Sequence, residues 1–269
     1  MTKKIYPLLK WAGGKRWLIN SDQMPDLPAY NRYIEPFLGG GAVLFSLRPK
    51  AGLVSDINRE LINFYQVVRD NPHEVKEKLT EHQTKHCKTH YYEVRETEPE
   101  APFDRATRFL YLNRACWNGL YRENLKGKFN VPIGSKTNLL FDYDDFEAVS
   151  QCLKKTDILC ADFETTIDAA EESDLIFVDP PYTVKHNFNG FVKYNSNIFS
   201  WDDQVRLAAS LKRAAQRGCL IIATNADHET VRELYRDIAT YQPIYRHSVL
   251  AGNPSKRSGV SEAMFTFNI

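Results

Sequence analysis

Residues 33–47 read YIEPFLGGGAVLFSL, in which an apolar strand-like run passes through three consecutive glycines into a helical pattern. Glycines at such a junction let the backbone approach a ligand closely and leave the first N–H groups of the helix available to it. The spacing is not Gly-x-Gly-x-x-Gly, which argues against a dinucleotide phosphate clamp. The stretch predicts a strand, a ligand-binding loop and a helix in that order.

Strand-like runs alternate with helical patterns along most of the chain. The alternation predicts an α/β fold with helices on both faces of one sheet. Helical periodicity dominates the interval 59–150, apart from an irregular part, 117–136, whose residues 125–129 are typical of a hairpin tip. We therefore predict a cofactor-binding domain formed by residues 1–58 and 151–269, and an inserted helical domain, 59–150, that contains a β-hairpin. The predicted strands cover residues 33–37, 51–55, 157–161, 175–178, 219–224, 244–250 and 263–268.

Asp56 directly follows the second strand-like run. An acidic residue at the tip of the second strand can accept hydrogen bonds from ribose hydroxyls. It can equally be the N-cap of a helix that begins near Arg59. Both interpretations stay open at this point.

Residues 179–182 read Asp-Pro-Pro-Tyr and follow the apolar run 175–178, where a buried strand opens into a loop. This tetrapeptide suits methyl transfer to an exocyclic amine, whose lone pair is delocalised into its ring. Asp179 supplies a carboxylate acceptor, Pro180 a carbonyl whose direction the next proline fixes, and Tyr182 a stacking face. The alternative is a proline-rich strand exit with a surface tyrosine.

The length of 269 residues and the 43% of hydrophobic positions allow one full core plus a subdomain. The net charge of +1 does not indicate nucleic acid, but the charge is unevenly distributed. Between residues 105 and 136 there are seven basic residues and one acidic residue, Glu123, and a second basic stretch covers 246–257. Such stretches fit either a nucleic-acid surface or an ordinary solvated one.

The five cysteines form no C-x-x-C pair, which fits the reducing cytoplasm. We also expect no signal peptide and no membrane span, because no apolar run is long enough. His82, His86 and His90 recur every four residues on a predicted helix, as zinc ligands or as part of a solvated face. We expect no metal, because a structural zinc site normally closes with four ligands from more than one segment.

Taken together, several short segments resemble the Dam family of DNA adenine-N6 methyltransferases, and they occur in the family's order over most of the chain. The resemblance implies a Rossmann-like methyltransferase sheet, S-adenosylmethionine as methyl donor, and the inserted domain as the target-recognition domain. The segments are KWAGGK at 10–15, EPFLGGG at 35–41, SDIN at 55–58, LNR at 112–114, NGLYR at 118–122, FNVP at 129–132 with Gly134, and DPPY at 179–182.

The resemblance also implies which residues bind the methyl donor. Asp162 would accept from the adenine amine of the donor and Phe163 would donate its backbone N–H to the ring. Asp179 would act on the target amine and also face the donor. Lys15 would help to position the methionine end, although a surface lysine is the alternative. The residues expected around the methionine and ribose parts are Trp11, Gly39, Gly41 and Asp56.

For DNA recognition, arginine suits guanine edges, amides suit adenine, and small apolar groups suit the thymine methyl. Arg122, Asn118, Leu120 and Pro132 lie together in the hairpin region, and Trp117 is a flat wedge for the gap that a departing base leaves. The alternative makes Trp117 and Leu120 core residues.

In this family the aromatic residue before Asn-Gly intercalates, the arginine contacts a guanine, and Lys10 lies where a lysine contacts the outer guanine. The resemblance therefore implies GATC as target. We further expect DNA contacts from the basic residues Arg114, Lys126, Lys128 and Lys136. Ser135 precedes Lys136 where many members carry an arginine or a bulky residue, so processivity and flanking preference stay open.

Other functions remain open from the sequence. The chain could methylate cytosine N4, RNA adenine or a glutamine amide, or it could be a DNA-binding regulator without turnover. Asp179 favours adenine, because the other families more often begin the tetrapeptide with Ser or Asn. We expect a monomer in solution that binds double-stranded DNA. A solitary enzyme and a partner in restriction-modification are both compatible with the sequence.

Overall fold

The computed structural model describes residues 4–124, 127–184, 199–246 and 260–269. The helices are α1 Arg16–Ile19, α2 Ala42–Leu47, α3 Arg59–Asp70, α4 Pro72–Lys85, α5 Lys88–Glu96, α6 Pro102–Ala115, α7 Phe146–Leu153, α8 Phe163–Asp168, α9 Trp201–Gln216 and α10 Glu229–Tyr235. The strands are β1 Tyr33–Glu35, β2 Gly52–Asp56, β3 Thr156–Cys160, β4 Leu175–Val178, β5 Leu220–Ala226, β6 Thr240–Arg246 and β7 Val260–Phe267.

In the described part of the chain, seven strands form one sheet in the order β3-β2-β1-β4-β5-β7-β6. β1, β2, β4 and β5 are parallel, whereas β7 runs antiparallel to β5 and β6 antiparallel to β7. Parallel strands buried on both faces are expected to be continuously apolar, and β4, Leu-Ile-Phe-Val, is fully buried. The predicted α/β fold is confirmed.

The position of β6 differs from the prediction. The strand covers Thr240–Arg246 instead of residues 244–250, and residues 247–250 lie outside the described part. Pro243 made the earlier half a poor strand candidate, but β6 is the last strand of the sheet, where a missing N–H is tolerated. The Gln23 side chain covers the outer edge at Tyr245, accepting from its N–H at 2.7 Å and donating to its carbonyl at 3.1 Å.

The chain forms two compact units. Unit 1 comprises Met1–Ile19, Leu38–Lys50 and Asp56–Cys160, and unit 2 comprises Asn20–Phe37, Ala51–Ser55 and Ala161–Ile269.

Unit 2 contains the parallel core of the sheet. Ile176 on β4 pairs with Ile34 on β1 and Ile221 on β5, and all three are buried. The core also includes apolar residues of α8 and α9. α9 begins with a capping box between Ser200 and Asp203, which fixes its start by bonding each side chain to the other's backbone N–H.

In unit 1, α3, α4 and α5 pack against α6. These four helices form the part of the predicted helical insertion from Arg59 to Ala115. Isolated antiparallel bridges join Cys116 to Ile133 and Glu123 to Phe129, in the region of the predicted hairpin. Residues 125 and 126, at its tip, lie outside the described part. The N-terminal segment contacts α6, so it belongs to unit 1, whereas the predicted division places it with the sheet.

The prediction that the three histidines share one helix is wrong, because α4 ends at Lys85 and α5 begins at Lys88. All three contact Tyr111: His82 stacks on its ring at 4.4 Å, His86 bonds its hydroxyl at 2.9 Å, and the His90 ring lies 5.4 Å away. Burial lowers the pKa of His82 to about 4. Within the described ranges, no group of three or more His, Cys, Asp or Glu side chains could hold a metal ion.

None of the described helices is both long and apolar enough to cross a membrane.

Candidate functional site

Asp179 directly follows β4, at the carboxyl end of a parallel strand, as predicted. The register pairs Val178 with Ala223, which brings the next residue of β5, Thr224, beside Asp179. The Thr224 hydroxyl donates to Oδ1 of Asp179 at 2.8 Å. The carboxylate is therefore oriented by the neighbouring strand, and strand ends of this kind are where α/β sheets bind ligands.

Tyr182 is half-buried, and its hydroxyl donates to Oε2 of Glu262 at 2.7 Å. Burial raises the pKa of Tyr182 well above its usual value, and the negative charges of Asp179 and Glu262 raise this pKa further. The phenol therefore keeps its proton and acts as a hydrogen-bond donor rather than a base. Pro180, which follows Asp179 in the sequence, is buried.

Thr183 directly follows the tetrapeptide and is held by hydrogen bonds. Its hydroxyl donates to the carbonyl of Phe199 at 2.7 Å, and Gln204 on α9 donates to its carbonyl at 3.4 Å. Gln204 in turn accepts from buried Asn225 of β5 at 2.9 Å. These bonds link Thr183 to α9 and, through Gln204, to β5.

The structure gives Asp162 two structural partners. Its side chain caps α8 by accepting from the N–H of Glu164 at 2.9 Å, and both of its oxygens accept from Arg206, at 3.0 and 2.9 Å. Phe163 packs on Phe37 with 5.4 Å between ring centroids, and the Arg206 guanidinium lies 4.3 Å above the Phe163 ring. Their roles in binding a methyl donor stay predictions.

In unit 1, Asp56 holds the glycine-rich loop. Its Oδ2 accepts from the N–H of Gly39 at 3.0 Å and its Oδ1 from the N–H of Asn58 at 3.0 Å, while the Tyr65 hydroxyl donates to the Gly39 carbonyl at 3.0 Å. Burial raises the pKa of Asp56. The N-cap of α3 is Asn58, which accepts from two N–H groups of the first turn, so the N-cap alternative for Asp56 is wrong.

Trp11 packs tightly on this loop. A Cβ at Gly39 would lie 2.8 Å from Cδ1 of Trp11, so only glycine fits there. The indole also stacks on Tyr121, with 5.6 Å between centroids. Gly41 has φ 66°, in the left-handed region, and precedes α2. Lys15 is buried, at 3% exposure, and donates to the Gly13 carbonyl at 2.9 Å, so the surface-lysine alternative is wrong.

Lys10 is fixed through its backbone. Its N–H donates to Oδ1 of Asn113 and its carbonyl accepts from Nδ2 of Asn113, both at 2.9 Å. Its ammonium donates to Oδ1 of Asn118 at 2.6 Å, and its stem crosses Gly119, where a Cβ would lie 2.5 Å from Cδ of Lys10. Desolvation lowers the pKa of Lys10, and the positive charge of Lys136 adds to this effect.

Most of the predicted DNA-reading residues of the hairpin region are exposed to solvent. Trp117 is 58% exposed, which argues against the core alternative for this residue, whereas Leu120 is half-buried. The Trp117 N–H donates to the Pro132 carbonyl at 2.9 Å, which joins the two halves of the region. The exposed members are Lys10, Trp117, Asn118, Arg122, Pro132 and Lys136, called here the hairpin surface.

Lys128 and Lys126 were expected to contact DNA. Lys128 is exposed and forms an ion pair with Glu98 at 2.5 Å. Lys126 lies outside the described residues, as does most of the basic stretch 246–257.

The expected DNA contact of Arg114 requires correction. Arg114 and its ion-pair partner Asp144 are each only 3% exposed, with 2.8 Å between Nη2 and Oδ1. Arg114 also donates to the carbonyls of Leu8 at 2.7 Å and Leu139 at 3.2 Å. A buried guanidinium committed to three internal acceptors is not available to a phosphate, so we assign Arg114 a structural role.

Sequence reasoning missed several residues that hold the functional ones. Asn113 fixes Lys10, Thr224 fixes Asp179, and Glu262 fixes the hydroxyl of Tyr182. A polar side chain in a mainly apolar strand was an available signal for Thr224 and Glu262, because such residues are rarely buried without a partner.

The chain is similar to known methyltransferases over nearly its whole length. It is 35% identical over 271 residues to "Type II methyltransferase M1.LlaDCHI" of Lactococcus lactis subsp. cremoris, covering 97% of this chain and 95% of that protein. It is 32% identical over 284 residues to "Type II methyltransferase M.MjaIII" of Methanocaldococcus jannaschii, covering 97% of this chain and 98% of that protein. It is 31% identical over 267 residues to the "DNA adenine methylase" of Escherichia coli K12, covering 97% of this chain and 95% of that protein.

Residues 11–249 match the family described as "D12 class N6 adenine-specific DNA methyltransferase". The match spans both compact units and includes the glycine-rich loop, the hairpin surface apart from Lys10, and the Asp-Pro-Pro-Tyr tetrapeptide. The mixed α/β chain with its seven-stranded sheet is consistent with the fold of S-adenosylmethionine-dependent methyltransferases. The chain therefore belongs to the N6 adenine-specific DNA methyltransferases of the D12 class, and it is an enzyme of DNA adenine methylation.

Proposed function

We propose that this enzyme transfers a methyl group from S-adenosylmethionine to N6 of adenine in double-stranded GATC sequences, after the adenine has left the duplex. The observation that carries the proposal is the Asp179 carboxylate, held by Thr224 at a strand end, in the same tetrapeptide as a half-buried Tyr182. We further propose that the reaction takes place in the cytoplasm. The enzyme would act as a monomer, alone or with a restriction enzyme.

In this proposal Asp179 accepts a hydrogen bond from the target amine as positive charge develops on its nitrogen, which favours the transition state over the ground state. The Pro180 carbonyl accepts from the second N–H, and the Tyr182 ring stacks on the base. Tyr182 does not take a proton, because its pKa is raised by burial.

The chemistry of unit 1 fits the methyl donor. Asp56 is a carboxylate at a strand end, suited to accept from ribose hydroxyls, and it already fixes the Gly39 backbone. Trp11, Gly41 and Lys15 would contact the methionine part. When bound, S-adenosylmethionine would supply a sulfonium methyl for direct displacement by the N6 lone pair, with the neutral thioether as leaving group and one N6 proton lost to solvent, and with no demand for a metal.

Base flipping is a physical requirement of this chemistry. An amine inside the base stack cannot reach a carboxylate at the end of a buried strand, so the base must be extruded at a cost of a few kcal/mol. Stacking on Tyr182 and hydrogen bonds to Asp179 and Pro180 would offset this cost. The exposed Trp117 would fill the gap left in the duplex.

Arg122 is the proposed reader of one guanine. Among the described residues it bonds only Asn130, through Nε at 2.8 Å, so both terminal nitrogens can contact the O6 and N7 of guanine. We expect Arg122→Ala to cost about 1–3 kcal/mol of cognate binding and to relax selectivity at one base pair. Binding to cognate duplexes and to duplexes substituted at each position measures this.

Lys128→Ala is the matched control for Arg122→Ala. Because Lys128 would contact phosphate, its loss should weaken binding to all duplexes alike and reduce the dependence of affinity on salt. If Arg122→Ala also weakens cognate and non-cognate binding equally, Arg122 contacts phosphate and the assignment is wrong.

Gly119→Ala tests the proposed contact of Lys10 with the outer guanine. The added Cβ would lie 2.5 Å from Cδ of Lys10 and must displace that side chain. We expect methylation of the cognate site to slow and discrimination against a changed outer base pair to fall. Gly127→Ala is the control, because Gly127 has a similar φ, +73° against +64°, but no described atom lies within 4 Å of its Cβ position. Equal effects of both variants would refute the role of Lys10.

The experiment that tests the proposed function is digestion of treated plasmid DNA with endonucleases that differ in sensitivity to methylated GATC. We expect resistance to the endonuclease that methylation blocks and cleavage by the one that requires it. Unchanged digestion, with methyl label nevertheless incorporated into DNA, would replace GATC by another sequence. Label in RNA or on cytosine would refute the proposed substrate.

A further inference from the structure

The carboxylate of Glu262 lies in the interior of unit 2 without a role in the proposed chemistry. It is 7% exposed on β7, opposite Ala226 in the register with β5. Removing a carboxylate from water is unfavourable unless hydrogen bonds compensate. An apolar core does not require a carboxylate on β7, and residues that are unfavourable for the fold are expected where function requires them.

One partner of this carboxylate is the hydroxyl of Tyr182, with 2.7 Å between Tyr182 Oη and Glu262 Oε2. A phenol O–H prefers the plane of its ring, because the oxygen lone pair is conjugated with the ring. An acceptor fixed on a strand therefore restricts rotation of the ring about its long axis, while the backbone holds the opposite end.

We propose that Glu262 is a positioning residue that fixes the plane of the Tyr182 ring for stacking on the extruded adenine. The proposal rests on the proposed function, and it gives the Tyr182 hydroxyl a role that the ring alone does not have. Glu262 touches no reacting atom and acts through Tyr182. Its contribution should appear in the rate of transfer and not in the binding of S-adenosylmethionine.

Four variants test the proposal: Glu262→Gln, Glu262→Leu, Tyr182→Phe and the double variant Tyr182→Phe/Glu262→Leu. Glu262→Leu and Tyr182→Phe should each lower the single-turnover rate by about 10-fold, the scale of a hydrogen bond to a charged group. Glu262→Gln keeps an acceptor and should stay within about 3-fold of the wild type. The KM for S-adenosylmethionine should not change in any of them.

The double variant separates positioning from a merely structural role. If Glu262 acts through the hydroxyl, the double variant is no slower than the slower single variant. Losses that multiply, a wild-type rate in Glu262→Leu, or a wild-type rate in Tyr182→Phe would overturn the proposal. The last arm holds even if Glu262→Leu fails to fold.

A second measurement does not depend on turnover. In the DNA-free protein with ring-labelled tyrosine, NMR should detect a slowly exchanging Tyr182 hydroxyl proton in the wild type and in Glu262→Gln, and lose it in Glu262→Leu. If the wild type methylates no DNA adenine, the proposed function fails and the stacking role with it, while this signal still decides whether Glu262 pins the ring. Absence of the signal in the folded wild type would overturn the pinning itself.

Discussion

Asp179→Ala is expected to lower the rate of methyl transfer by on the order of 100-fold or more. The carboxylate would accept from the amine most strongly as charge develops on nitrogen, so its loss destabilises the transition state more than the bound substrates. Single-turnover transfer of labelled methyl measures the rate. S-adenosylmethionine and DNA should still bind, at least weakly, because the other proposed contacts remain.

Asp179→Asn is the matched control for this prediction. Asparagine keeps an oxygen that can accept from the Thr224 hydroxyl, so the local fold is conserved, but it lacks the negative charge. A rate as low as that of Asp179→Ala would assign the effect to the charge. Near-normal turnover in Asp179→Ala would show that the role assigned to Asp179 is wrong.

Arg114→Ala is expected to lower the free energy of unfolding by about 3–5 kcal/mol, because it leaves the buried Asp144 carboxylate without its ion-pair partner. The carbonyls of Leu8 and Leu139 also lose a donor, and the guanidinium no longer packs 4.4 Å above the Phe141 ring. Urea unfolding measures this effect. The segment that carries Lys10 should loosen as well, since Leu8 is held by Arg114.

The double variant Arg114→Met/Asp144→Leu is the control for the ion pair. It removes both charges and should recover much of the stability, because no unpaired charge stays buried. If Arg114→Ala leaves the unfolding free energy unchanged but weakens DNA binding in a salt-dependent manner, the original expectation of a DNA contact would be right and the structural role wrong.

The sequence was informative wherever the signal was local. The strand before the glycine-rich loop and the position of Asp179 at a strand end follow from apolar runs and the residues that interrupt them. β6 was predicted too late in the chain because Pro243 opposes strand structure except at the edge of a sheet. Whether a strand lies at an edge depends on the whole sheet and cannot be read from the local sequence.

Partners from distant segments could not be predicted in this way. Tyr182 and Glu262 are 80 residues apart, and Lys10 and Asn113 are 103 apart. Arg114 carried the same basic signal as Arg122, although one is buried in an ion pair and the other is exposed. Charge counted along the chain cannot separate these cases, because burial depends on the packing of α6 against the N-terminal segment.

The most direct test of the central claim is mass spectrometry of nucleosides from a GATC duplex incubated with the enzyme and S-adenosylmethionine carrying an isotopically labelled methyl group. We expect labelled N6-methyladenine with the wild-type enzyme, and at least about 100-fold slower formation with Asp179→Ala. Label on cytosine N4, or adenine labelled as fast by Asp179→Ala as by the wild type, would contradict it.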